Sequence, residues 1–128
     1  MKTVAAMLLI SVGGLRAAQA LTGDWGGLHV SLQLTSKSGT AEFDCAHGEL
    51  NSPVVPDRNG RFDVPGTFIE DHGGPARLGE PTGGLRVRYS GRVTNGRMTL
   101  SVTRTNTDAR LGSFTLERGR EPALTKCR

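Results

Sequence analysis

"LRVRYSGRVTNGRMTLSVT", residues 85–103, decides the fold. Leu85, Val87, Tyr89, Gly91 and Val93 fall on one side of a two-residue period, with Arg86, Arg88, Ser90 and Arg92 on the other. Asn95-Gly96 follows, a pair that accepts the positive φ of a tight hairpin turn. Met98, Leu100 and Val102 then alternate with Arg97, Thr99, Ser101 and Thr103. Strict alternation on both sides of such a turn predicts an antiparallel hairpin with one buried face.

The same grammar extends in both directions. Downstream, a turn at residues 106–108 delivers Phe114 and Leu116, with Leu124 and Cys127 closing the pattern. Upstream, Leu28, Val30, Leu32 and Leu34 share a face against His29, Ser31 and Gln33, and residues 36–39 turn the chain. Ala41, Phe43 and Cys45 share the next inward face, opposite Glu42 and Asp44, with Gly48 as the turn and His47 continuing the inward set. A short strand is expected over residues 49–55, held to an edge by Pro53 and Pro56. Asp57-Arg58-Asn59-Gly60 reads as a turn into Phe62 and Val64, and Pro65-Gly66 bends the chain before residues 67–70. No stretch after residue 20 has a helical period. The expectation is an all-β fold: a small antiparallel up-and-down barrel, or a strongly coiled sandwich, of about seven or eight strands.

Residues 1–20 read as a signal peptide. Lys2 precedes an apolar stretch too short to span a bilayer, and Ala18-Gln19-Ala20 offers a small-residue cleavage site. Residues 21–128 then form one domain, free in the periplasm or secreted, with no membrane anchor and monomeric by default. The formal charge of +4 includes Lys2 and Arg16, so the mature chain carries 4 − 2 = +2, too little for a nucleic-acid footprint. Arg86, Arg88, Arg92 and Arg97 fit a solvated sheet face. Cys45 and Cys127 allow one pairing, and export places it where disulfides persist.

Chemistry-bearing residues are sparse. His29, His47 and His72 invite a zinc reading with Asp44, Glu49, Glu70 or Asp57 as further ligands, and the best placed set is His47, His72 and Glu49. No paired-ligand spacing such as H-E-x-x-H supports it, and His47-Gly48-Glu49 lacks the cysteine pair of zinc deaminases. Residues 57–63 hold a fragment of a calcium loop without its bidentate Glu. There is no nucleophile elbow. The Gly- and Pro-rich residues 71–84, long for a hairpin, are the candidate binding rim, with His72, Arg77 and Glu80 as its polar members. No cofactor is implied.

Gly23-Asp24-Trp25 resembles the G-x-W that opens the first strand of calycin barrels, the lipocalin and avidin group, which implies a barrel and carries over no ligand. Phe43, Cys45 and Gly48 resemble the aromatic-x-Cys-x-x-Gly strand of periplasmic inhibitors of c-type lysozyme, and Ser90-Gly91 resembles their inhibitory Ser-Gly loop. From "DWGG" through "GRFDVPGTF" to "GSFTLERG", the chain is also similar to small exported bacterial barrels of unassigned activity. The combined expectation is an exported, non-enzymatic barrel that binds a protein or a small molecule through its rim loops. The alternatives are a lysozyme-inhibitor-like protein and a metal site or metal-dependent enzyme using His47 and His72.

Overall fold

A computed structural model describes residues 19–71 and 84–127. Eight antiparallel strands run in chain order: β1 Gly23–Gly27, β2 Val30–Leu34, β3 Gly39–Phe43, β4 Ala46–Leu50, β5 Arg61–Glu70, β6 Leu85–Thr94, β7 Arg97–Arg104 and β8 Arg110–Arg118. Each pairs with the next, and β8 pairs back onto β1 through Trp25↔Arg118, Gly26↔Glu117 and Gly27↔Leu116. The sheet is therefore a closed barrel and not a sandwich, and closure leaves no unpaired edge.

Alternation fills the interior. Val30, Leu32 and Leu34 from β2, Phe62 and Val64 from β5, Val87 and Tyr89 from β6, and Met98, Leu100 and Val102 from β7 all point inward and are buried. Among the described residues the core holds no charged side chain. The β6–β7 hairpin is built as its sequence predicts: Asn95 and Gly96 have φ of 49° and 77°, and Val93 pairs with Met98.

Two connections correct the sequence reading. The strand expected from Leu28 to Leu34 is broken at residues 28 and 29, where His29 takes φ 68° and Leu28 lies 62% exposed outside the barrel. Residues 44 and 45 likewise form a turn, so Cys45 leaves the inward set, Ala46 replaces it inside, and His47 faces solvent. Gly48, expected at a turn, lies buried within β4. The strand expected over residues 49–55 ends at Leu50, since β4 runs Ala46–Leu50. Beyond it Val54 folds inward, 1% exposed, and its carbonyl accepts the Leu21 N–H at 2.7 Å. Val54 and Leu21 thus plug the end of the barrel below the β6–β7 turn.

Cys45 and Cys127 form the disulfide, with Cα atoms 5.1 Å apart. It ties the β3–β4 turn to the segment after β8. That segment docks further through His29 N–H to Ala123 O at 2.8 Å and Thr125 N–H to Asp44 Oδ1 at 2.8 Å.

Tyr89 is the central packing element. Its ring lies against Gly66 on β5 and its hydroxyl reaches past Gly48 on β4 to donate to Thr67 O at 2.6 Å. Burial pushes its phenol well above the usual value of 10. Below pH 10 both folded and unfolded chains hold this proton; above it only the unfolded chain loses it, so the folded state is penalised as pH rises. Tyr89→Phe is expected to cost about 1 kcal/mol at pH 8. That difference should shrink by roughly 1.4 kcal/mol for each pH unit above 10. Urea titrations at pH 8 and pH 11 measure it; an identical gap at both would show that the buried phenol has an ordinary affinity for its proton.

Candidate binding site

An up-and-down barrel gathers alternate connections at each end. Opposite the Val54 plug lie the turns at residues 28–29 and 44–45, the end of β5, the start of β6 and the β7–β8 connection. Among the described residues, the side chains there enclose a depression of about 390 Å³. Its floor is aromatic. Phe43 stands 5.4 Å from Phe68 and 5.0 Å from Phe114, centroid to centroid, with the rings tilted at 47° and 41°. Phe43 is buried, whereas Phe68 and Phe114 are half-buried and finish the core at the mouth.

The rim is polar. His29, Asp44, Cys45, Glu70 and Asp71 line it, with Leu111 as an exposed apolar member. Asp44 is the organising residue: its Oδ2 lies 2.5 Å from His29 Nδ1, while its Oδ1 and backbone carbonyl accept the N–H groups of Thr125 and Cys127. Asp71 Oδ1 lies 2.7 Å from His47 Nδ1, and Lys126 Nζ donates to Phe43 O at 2.9 Å while standing 3.4 Å from Glu42 and 3.8 Å from Asp71. These pairs are exposed, so each adds little stability. Their effect is to hold two carboxylates, Asp44 and Asp71, and the His29 imidazole around an apolar hollow.

The residues named from sequence are distributed as follows. His72, Arg77 and Glu80 lie outside the described residues. Glu70 and Asp44 reach the mouth. His47 and Glu49 share the outer face of β4, where they oppose Glu42 and Thr40 of β3. Among the described residues no group of three metal-ligating side chains converges. Asp57 sits in the connection at the plugged end, its Oδ1 taken by the N–H groups of Asn59 and Arg61, an Asx turn in place of a cation loop. Ser90 and Gly91, matched above to an inhibitory loop, pair on both sides within β6.

Phe68, Phe114 and Leu111 were not singled out as site residues. Phe68 and Phe114 lie on the apolar side of their strands and so read as core; Phe68 near the end of β5 and Phe114 midway along β8 meet the ring of Phe43 at the end of β3, and together the three form the floor. Comparison with known proteins finds no matching family model, no matching curated protein and no matching solved structure.

Proposed function

We propose that this protein is an exported, non-enzymatic binding barrel, and that it takes a small, largely apolar ligand at the mouth formed by Phe43, Phe68 and Phe114. The observation that carries this reading is the contrast between the two ends. One is plugged by Val54 and Leu21, while among the described residues the other ends in three aromatic rings around a hollow of about 390 Å³. Ligand sites of this kind span about 300–1,000 Å³ and combine an apolar lining with a few polar groups. The acidic rim favours a ligand whose polar end donates hydrogen bonds or carries positive charge.

Export is supported by two features. Leu21, the first residue after the expected cleavage site, already packs on the core, so cleavage there leaves the barrel whole. A disulfide persists in an oxidising compartment. The likeness to calycin barrels and to small exported barrels is in keeping with the eight-stranded up-and-down topology and with Trp25 of β1 buried beneath Arg118, whose guanidinium carbon stands 4.6 Å from the ring centroid.

Saturable quenching or enhancement of N-phenyl-1-naphthylamine fluorescence tests the mouth. Wild-type protein is expected to bind the dye, and Leu111→Asp or Phe114→Ala to weaken it at least tenfold, the loss of about 1.4 kcal/mol of apolar contact. Equal affinity in the variants would place the dye elsewhere and remove the mouth as the site.

A further inference from the structure

A second surface lies on the outer wall at the opposite end of the barrel. Strands β5 to β8 present rows of outward side chains there. One row reads Arg61, Arg92, Thr99 and Thr115, and the next reads Asp63, Ser90, Ser101 and Ser113. Thr94 and Arg97 face each other beside the first row. Arg92, Thr94, Asn95, Arg97 and Thr99 line a depression of about 420 Å³.

The register makes this wall costly unless something covers it. Arg61 and Arg92 are directly opposed on neighbouring strands, and like charges so placed repel. Among the described residues neither forms an ion pair, whereas Arg88 is matched by Asp63 at 2.6 Å and Arg97 by the exposed Glu117 at 3.2 Å. Arg92 Nε donates to Asn59 O at 2.9 Å, which holds the guanidinium over the wall, and among the described residues its remaining N–H groups have no acceptor. A fixed planar fork beside a second arginine suits the oxygens of a phosphate or sulfate ester.

The flanking residues indicate what carries that anion. The rows are rich in Thr and Ser hydroxyls, which both donate and accept, as sugar hydroxyls require. Among the described residues none of the exposed large apolar side chains, Leu28, Val55 and Leu111, belongs to these rows, so the rows offer nothing apolar to insert into a lipid surface. Every aromatic side chain among the described residues is buried or half-buried inside the barrel, which leaves no stacking platform for a nucleic acid. We infer that the wall centred on Arg61, Arg92 and Arg97 binds an acidic polysaccharide, with its phosphate or sulfate groups seated on Arg92, between Arg61 on one side and Arg97 on the other. This surface is separate from the mouth and stands whether or not the mouth binds a ligand.

Heparin, as a soluble sulfated polysaccharide, is the probe, measured by calorimetry on the disulfide-bonded protein at about 150 mM salt. Arg92→Gln/Arg97→Gln should weaken binding at least tenfold and lower the salt slope by about two. A charge-matched control, Lys37→Gln/Arg110→Gln, should stay within twofold. Arg61→Gln, whose side chain makes no hydrogen bond among the described residues, repeats the test should the double variant unfold. Any of three results would overturn the inference: no heparin binding by wild type, equal loss in the control, or tighter binding to phosphatidylglycerol vesicles than to heparin.

Discussion

Replacing both cysteines, Cys45→Ser and Cys127→Ser together, is expected to remove about 4 kcal/mol of stability. The bond spans 82 positions, so its absence restores a large amount of freedom to the unfolded chain. A domain of this size is stable by about 5–15 kcal/mol, and the loss would therefore take between a quarter and most of it. Native contacts compensate little, because what else holds residues 119–127 among the described residues is a handful of hydrogen bonds, to Asp24, Gly27, His29, Phe43 and Asp44, and the exposed ion pairs of Lys126. Denaturant midpoints of the oxidised wild type and the double variant measure the difference. Hydrogen exchange then locates it: amides of Ala123, Thr125 and Cys127 should lose protection first, before those of β6 and β7. A variant within 1 kcal/mol of wild type would mean that the unfolded chain is already compact enough to bring the two ends together.

Gly48→Ala should be nearly as damaging, at about 3 kcal/mol, although it adds a single methyl. A Cβ at position 48 would stand 2.0 Å from Thr67 O and 2.3 Å from Tyr89 Oη. Those two oxygens share the hydrogen bond that anchors the tyrosine. The methyl would therefore both overpack a closed barrel, at about 1–3 kcal/mol, and break a buried hydrogen bond worth roughly 1 kcal/mol. Strand β5 repeats the device, since a Cβ at Gly66 would stand 2.6 Å from the same ring. The two glycines leave the barrel wall without side chains where the ring crosses it. A double-mutant cycle tests this: Gly48→Ala should cost at least 1 kcal/mol less in a Tyr89→Phe background, where the hydroxyl no longer competes for the space. A cost below 0.5 kcal/mol in the wild-type background would show that β4 can shift to make room, and the glycine would have no special role.

The β6–β7 hairpin was fully legible because two independent signals coincide there: period-two burial and an Asn-Gly turn. The up-and-down order follows from the sequential turns, which left a barrel and a coiled sandwich both open, and the disulfide follows from having only two cysteines. The turns at residues 28–29 and 44–45 were not read. Neither carries Gly, Asn-Gly or Pro, and Leu28 counterfeits an inward position in a run of alternating leucines. A faint mark was present, since inward residues are spaced by two along β3 and β4 but by three between Phe43 and Ala46. An odd step in an even pattern signals a reversal, and reading it would have moved Cys45 and His47 outside. The candidate site was legible only in kind. Sequence pointed to a rim and named it from a Gly-rich segment, whereas the described mouth is built from phenylalanines of β3, β5 and β8 that are indistinguishable from core until the strands are placed around the barrel.

The seam between β1 and β8 has a consequence for the order in which the molecule is made. Trp25 meets Arg118 across nearly the whole length of the folded chain, and three residue pairs make up that pairing. A nascent polypeptide delivered from its N-terminus can zip β2 to β7 as successive local hairpins, but what exists until β8 arrives is a curled ribbon with two raw edges. Topologies that depend on such distant pairings fold slowly, on the order of milliseconds to seconds. The link to Cys127 joins the β3–β4 turn to the segment that follows β8, so once made it acts as a latch that keeps the last strand beside the first. A cell that makes this protein must therefore keep the ribbon from pairing with its neighbours until the last strand has been delivered.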